Sequence, residues 1–205
     1  MGASCVTISP EYRPRLVVML KEPRPGRVKT RLGRDIGMVP AAWWFRHQVH
    51  RLLRRLRDPR WEVVLAVSPD AAGLVSRVWP EDLPRVGQGT GNLGDRMGRI
   101  MVGLPPGPVV IVGADIPGID RCAVARAFAA LGDHDAVFGP APDGGYWAVG
   151  LKRVRAVPPR FLADVRWSGP HALVDSMATL KGARIALVDT LQDVDTVTDL
   201  QRVST

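Results

Sequence analysis

Cysteine is scarce: Cys5 and Cys122 are the only two in 205 residues. With no CxxC pair and no Cys/His spacing, a disulfide scaffold is excluded and no zinc motif stands out. A reducing cytoplasm is the expected compartment. Long apolar runs are missing too. The longest, Leu16–Leu20 and Val109–Val112, are strand-sized, against the roughly 20 residues a membrane span needs. No seven-residue apolar run follows a positive stretch at the start, so no secretory signal is expected. Histidine is limited to His47, His50, His134 and His171, without metal-ligand spacing. The GxSxG nucleophile elbow is absent. Lysine is also rare. Lys21, Lys29, Lys152 and Lys181 are the only four, while lysine and arginine together number 28.

What is there reads as one globular α/β domain. Hydrophobic residues make up 46% and charged residues 23%, and the length suits a single domain. The 21 glycines and 18 prolines imply many tight loops. The net charge of +8 suggests anionic partners such as nucleotides, phosphorylated substrates or nucleic acid. A GC-rich coding composition would enrich Arg, Ala, Gly and Pro in the same way. The few lysines therefore carry more information than the arginines.

Residues 1–14 show no periodicity and read as an arm, with the domain running from 15 to 205. Strands are predicted at 16–20, 61–67, 85–86, 109–112, 136–138, 146–149 and 184–188. Helices are predicted at 40–57, from Asp70, and at 93–104, 120–131, 170–180 and 198–203. Residues 21–34 read as a loop. The 40–57 helix places Ala42, Phe45, Val49, Leu52, Leu53 and Leu56 on one face at 3.6-residue spacing. Its other face carries Arg46, Arg51, Arg54, Arg55 and Arg57, either a solvated surface or a nucleic-acid contact. Continuous apolar strands alternating with helices imply a three-layer α/β/α sandwich with a mainly parallel mixed sheet. In such sheets ligands gather at the carboxyl ends of the strands.

Five segments carry candidate chemistry, and the first two leave the ends of predicted strands. Lys21-Glu22-Pro23-Arg24-Pro25-Gly26-Arg27-Val28-Lys29-Thr30-Arg31 follows the first strand. Its cations and backbone N–H groups suit a polyphosphate, although it has neither P-loop nor GxGxxG spacing. A solvated basic loop is the bland alternative. Gly113-Ala114-Asp115 ends the central strand, where one carboxylate with substrate phosphates can hold Mg²⁺ or simply begin a turn. Asp143-Gly144-Gly145-Tyr146-Trp147 is either a close backbone approach to a ligand or a hairpin turn. The run Gln88-Gly89-Thr90-Gly91-Asn92-Leu93-Gly94-Asp95-Arg96 could line a base or sugar pocket, or cap a helix. Asp193-Val194-Asp195-Thr196 could complete a metal site or cap the last helix.

Taken in order, these segments resemble the small bacterial GT-A-type glycosyltransferase family, largely uncharacterised domains of the nucleotide-diphospho-sugar transferase superfamily. Some members are associated with arsenosugar biosynthesis. The chain is more remotely similar to the guanylyltransferases of deazaflavin-cofactor biosynthesis. The resemblance implies a nucleotide or nucleotide-sugar donor held by Lys21, Lys29 and Arg31, with Pro25, Gly26, Gln88, Gly89, Gly94 and Arg96 around it. It implies Mg²⁺ or Mn²⁺ at Asp115, with Asp195 as a second acid. Asp143, Gly144, Gly145 and Tyr146, with Trp167, would face a small-molecule acceptor. Asp115, Asp143 and Lys29 are the candidate catalytic set, Asp143 by its position alone. Members usually carry Trp-Ser-Thr where this chain has Trp167-Ser168-Gly169. Glycosyl transfer is the first reading and nucleotidyl transfer with release of pyrophosphate the second. A non-enzymatic nucleic-acid binder is the third, but it gives no reason for Asp115 or the Gly-Gly turn.

Overall fold

Apolar strands buried on both faces build one sheet. The computed structural model describes residues 12–192. Its elements run β1 (Arg15–Lys21), α1 (Thr30–Ile36), α2 (Met38–Leu56), β2 (Glu62–Ser68), α3 (Asp70–Leu74), β3 (Arg85–Gly87), α4 (Leu93–Gly103), β4 (Val109–Gly113), α5 (Arg121–Asp133), β5 (Ala136–Pro140), β6 (Tyr146–Leu151), α6 (Ala172–Ala178) and β7 (Ile185–Leu187). The seven strands lie in the order β3-β2-β1-β4-β6-β5-β7. β1 pairs in parallel with both β2 and β4, and β6 runs antiparallel to β4 and β5. The expected mainly parallel mixed sheet is therefore observed. Only β6 is reversed, because the short link from Pro140 to Tyr146 permits a hairpin but no crossover.

Side chains alternate across the sheet. Leu16, Val18 and Leu20 face one layer with α2 and α5, while Val17 faces the other with α4 and α6. The periodic stripe predicted for α2 is buried in full, from Ala42 through Leu56. Asn92 and Asp95 cap α4 reciprocally, and the Asp120 carboxylate caps α5 through the Ala123 N–H at 2.7 Å. These caps satisfy N–H groups that the first helical turn leaves open.

Several expectations are corrected. Residues 30–36 form a helix rather than loop. Neither end carries a side-chain cap, and Gly33 sits mid-helix, so local propensity argues against it. It persists because Leu32 and Gly33 are buried, with Gly33 close against Met38 at the start of α2. Residues 12–14, read as part of an arm, are tied to the body, with Pro14 O accepting the Glu62 N–H at 2.9 Å. The Arg-rich face of α2 is partly engaged. Arg57 pairs with Asp82 and Arg55 reaches Pro117, leaving Arg46, Arg51 and Arg54 exposed. The helix predicted at 198–203, Cys5 and the Asp193–Asp195 pair lie outside the described residues.

Candidate active site

The carboxyl ends of β1 and β4 lie side by side, so the segments that leave them must share one space. A cleft of about 800 Å³ opens there. Lys21, Lys29, Arg31, Gln88, Arg96, Asp115, Asp143, Gly145, Tyr146 and Trp167 all line it. Among the described residues, five cations (Lys21, Arg27, Lys29, Arg31 and Arg96) stand against two carboxylates, Asp115 and Asp143. A cleft of that balance attracts polyanions.

The decisive contact joins residues 86 positions apart. Lys29 Nζ lies 3.0 Å from Asp115 Oδ2. The Lys29 side chain is only 5% exposed, while that of Asp115 is 37% exposed. The carboxylate is thus half open to the cleft rather than sealed in the interior. Lys29 adopts left-handed backbone angles, φ 45° and ψ 47°, which cost a residue bearing a Cβ about 1–2 kcal/mol.

The turn carrying Asp115 is held from below. Ala114, Ile116 and Ile119 are buried, and Arg55 Nη2 on α2 donates to the Pro117 carbonyl at 2.6 Å. Sequence reasoning grouped Arg55 with a solvated face. The available signal was its place beside Leu56, at the margin of the apolar stripe.

Gln88 is a staple. It is 3% exposed, and its Nε2 donates to Leu20 O at 3.1 Å and Ala66 O at 2.8 Å. It joins the ends of β1 and β2 and thereby shapes the cleft floor. Gly89 donates its N–H to the Asp70 carboxylate. Pro25, Gly26, Gly89, Gly94 and Gly144 are not among the lining residues. A Cβ on Gly94 would collide with the Leu162 carbonyl and lie 2.9 Å from Trp167 Cζ2. Gly144, at φ 84°, would collide with the Pro170 backbone. Both glycines permit close packing around the cleft wall.

That wall is aromatic. Phe138 meets Tyr146 edge-on at 5.2 Å, and Tyr146 meets Trp167 at 6.4 Å, separations favourable for ring pairs. The Tyr146 hydroxyl accepts from Ser176 Oγ at 3.2 Å. Burial pushes the Tyr146 hydroxyl well above its ordinary pKa, an effect the Ser176 contact offsets in part. Asp143 is exposed at the rim, with Oδ1 accepting the Gly145 N–H at 2.9 Å. Arg166 grips Asp175 through its guanidinium and its backbone N–H, holding that carboxyl down at about 2. This clamp ties the segment bearing Trp167 to α6. Sequence reasoning missed Met19, Phe45 and Met97, apolar lining residues that nothing local separates from core.

The donor set fits a hard divalent cation only in part. No group of three or more His, Cys, Asp or Glu side chains gathers among the described residues, so no all-protein cage exists there. Asp115 offers a solvent-reached carboxylate oxygen beside cations suited to phosphate. That is the pattern for Mg²⁺ or Mn²⁺ bound by few carboxylates and completed by substrate phosphate and water.

The fold is that of the nucleotide-diphospho-sugar transferases and nucleotidyltransferases. A candidate nucleotide-diphospho-sugar transferase from Desulfovibrio desulfuricans G20 is 29% identical, with a TM-score of 0.82 over 94% of this chain and 86% of that one. The 4-diphosphocytidyl-2C-methyl-D-erythritol synthase of Anaerococcus prevotii DSM 20548 shares the fold at 9% identity (TM-score 0.58, 94% and 96% of the chains). So does Rv0371C of Mycobacterium tuberculosis H37Rv, solved as a complex with manganese, at 15% identity (TM-score 0.52, 93% and 97%). The chain belongs to the family described as an uncharacterized protein conserved in bacteria (DUF2064), whose model matches residues 52–169. That match takes in Asp115 and Asp143 but not the loop bearing Lys21 and Lys29. No curated protein matches the chain. No helix among the described residues is long and apolar enough to cross a membrane.

Proposed function

We propose that the protein is a divalent-metal-dependent transferase that uses a nucleotide-activated donor, with a nucleotide sugar as donor and a small molecule as acceptor. The observation that carries this reading is the meeting of Lys29 and Asp115 at 3.0 Å in a cleft rich in cations. An acceptor nucleophile would attack the anomeric carbon. The bond from that carbon to the diphosphate oxygen would break, and a nucleoside diphosphate would leave. Lys21, Lys29 and Arg31 would hold the diphosphate and stabilise the charge that grows on it. Asp115 would hold Mg²⁺ or Mn²⁺, which when bound supplies further positive charge at the leaving group. Asp143, exposed at the rim, is the candidate acceptor of the nucleophile's proton. Gly145, Tyr146 and Trp167 would form the wall against the second substrate. The likeness to the Desulfovibrio protein and the manganese complex of the mycobacterial relative support this reading.

A second reading is nucleotidyl transfer. A phosphate or carboxylate oxygen would attack the α-phosphorus of a nucleoside triphosphate and expel pyrophosphate. The pronounced cation loop and the likeness to the Anaerococcus synthase favour it. One assay separates the two. Nucleoside triphosphates and nucleotide sugars are offered with Mg²⁺ or Mn²⁺ and a panel of acceptors. Release of a nucleoside diphosphate supports glycosyl transfer, release of pyrophosphate supports nucleotidyl transfer, and release of neither refutes both. In the same assay Lys29→Ala should chiefly weaken nucleotide affinity, and an unchanged nucleotide Kd would remove phosphate binding from this loop.

A further inference from the structure

The Lys29–Asp115 contact brings an ammonium and a prospective metal ligand to the same oxygen. The carboxylate has lone pairs left for a second cation, but an ammonium already on Oδ2 offsets the negative charge that would draw a divalent ion and repels it at close range. Lys29 holds this position from the inner side. Its side chain is 5% exposed against 37% for its partner, and a buried ammonium requires an anion. Its backbone is left-handed at φ 45°, a conformation that a non-glycine residue keeps only where its surroundings impose it. The other cations lining the cleft, Lys21, Arg27, Arg31 and Arg96, attract phosphate and repel free metal.

We propose that Lys29 is an internal counter-ion that guards Asp115. It excludes free divalent metal and yields the carboxylate when a phosphate-bearing ligand offers the ammonium an alternative anion. Metal then enters with the phosphate rather than before it. The proposal rests on the transferase reading above and adds to it a binding order set by one side chain.

The test uses Mn²⁺ alone, with binding read from loss of the free-ion electron paramagnetic resonance signal. It compares the full chain with Lys29→Met, Lys29→Gly and Lys29→Arg, each checked for fold by circular dichroism. Lys29→Met removes the charge. Lys29→Gly removes the charge and also accepts the left-handed backbone, so it reports even where the Met variant fails to fold. Lys29→Arg keeps a cation. Charge removal should tighten Mn²⁺ binding by about tenfold or more, while Lys29→Arg should stay near the wild type. Equal or weaker Mn²⁺ binding in the folded charge-removal variants overturns the proposal, and so does equal tightening in Lys29→Arg. A second arm adds inorganic pyrophosphate with Mn²⁺ to the wild type. Tighter Mn²⁺ retention there, with no gain in Lys29→Met or Lys29→Gly, leaves the transferase reading standing and refutes the counter-ion alone. No retention of Mn²⁺ with pyrophosphate counts against the transferase reading itself and removes the proposed exchange with it.

Discussion

The two walls of the cleft are built on different principles. One wall comes from the loop and helix after β1 and the turn after β4. It holds charged groups, one of them in a strained backbone conformation and facing a half-exposed carboxylate. The other comes from β6 and the segment leading into α6. Most of its polar groups already have protein partners: the Tyr146 hydroxyl engages Ser176, Arg166 clamps Asp175, and Gly145 closes on Asp143, while the buried Trp167 Nε1 has none among the described residues. The first wall is suited to exchanging partners when a ligand arrives. The second is suited to presenting a fixed shape, since rings packed edge to face and close glycine contacts leave little room to move.

The sharpest break of this contrast is Asp115→Asn. It keeps the shape of the first wall and removes its charge. Metal-dependent turnover should fall by at least about a hundredfold, the scale of losing a preorganised electrostatic group, in a chain still folded by circular dichroism but with a lowered denaturant midpoint, because the buried Lys29 loses this counter-charge. Full activity would remove the metal role from this residue. Next in size is Gly144→Ala in the second wall. A left-handed backbone and a collision with Pro170 together should cost about 2–4 kcal/mol, read as a lowered denaturant midpoint. A neutral result would mean that the wall yields, contrary to the fixed shape described. Tyr146→Phe should cost less, about 1 kcal/mol, by leaving the buried Ser176 hydroxyl without its partner.

The smallest effect is on acid stability. The folded-state pKa of Asp175 is depressed by Arg166, from 3.8 to about 2. Its contribution is therefore present above pH about 4 and is lost as pH falls through about 2. The melting temperatures of wild type and Asp175→Asn should differ by about 2 °C or less at pH 5 and converge only near pH 1, where the carboxyl is protonated in both states. A difference that persists undiminished from pH 5 to about pH 1 would show that the clamp does not work through this carboxylate.

Much of the frame was legible locally. The apolar runs at 16–20 and 109–112 are central strands, and the α2 stripe is buried at its predicted positions. The ligand-edge rule pairs Lys29 with Asp115, the family resemblance adds Asp143 and Tyr146, and all four line the cleft. Helix α1 was not legible, because burial of Leu32 and the close approach of Gly33 to Met38 outweigh a poor local propensity. Nor was Arg55, whose partner is a carbonyl 62 positions away. Gln88 looked like a ligand residue, yet its amide is engaged with two strand-end carbonyls. A glutamine in a Gly-rich loop carries no local mark that tells a staple from a ligand.

By itself the sequence determined the α/β class, the run of strands and helices, and the loops that meet at the sheet's carboxyl edge. Periodicity, capping residues and glycine positions act within a few residues of chain, and so they can be read from it directly. Only the tertiary structure decided that Lys29 closes on Asp115, that β6 runs against its neighbours, and that most polar groups of the far wall are already engaged. Those outcomes depend on which distant groups compete for the same partner, and that competition is settled by packing in three dimensions.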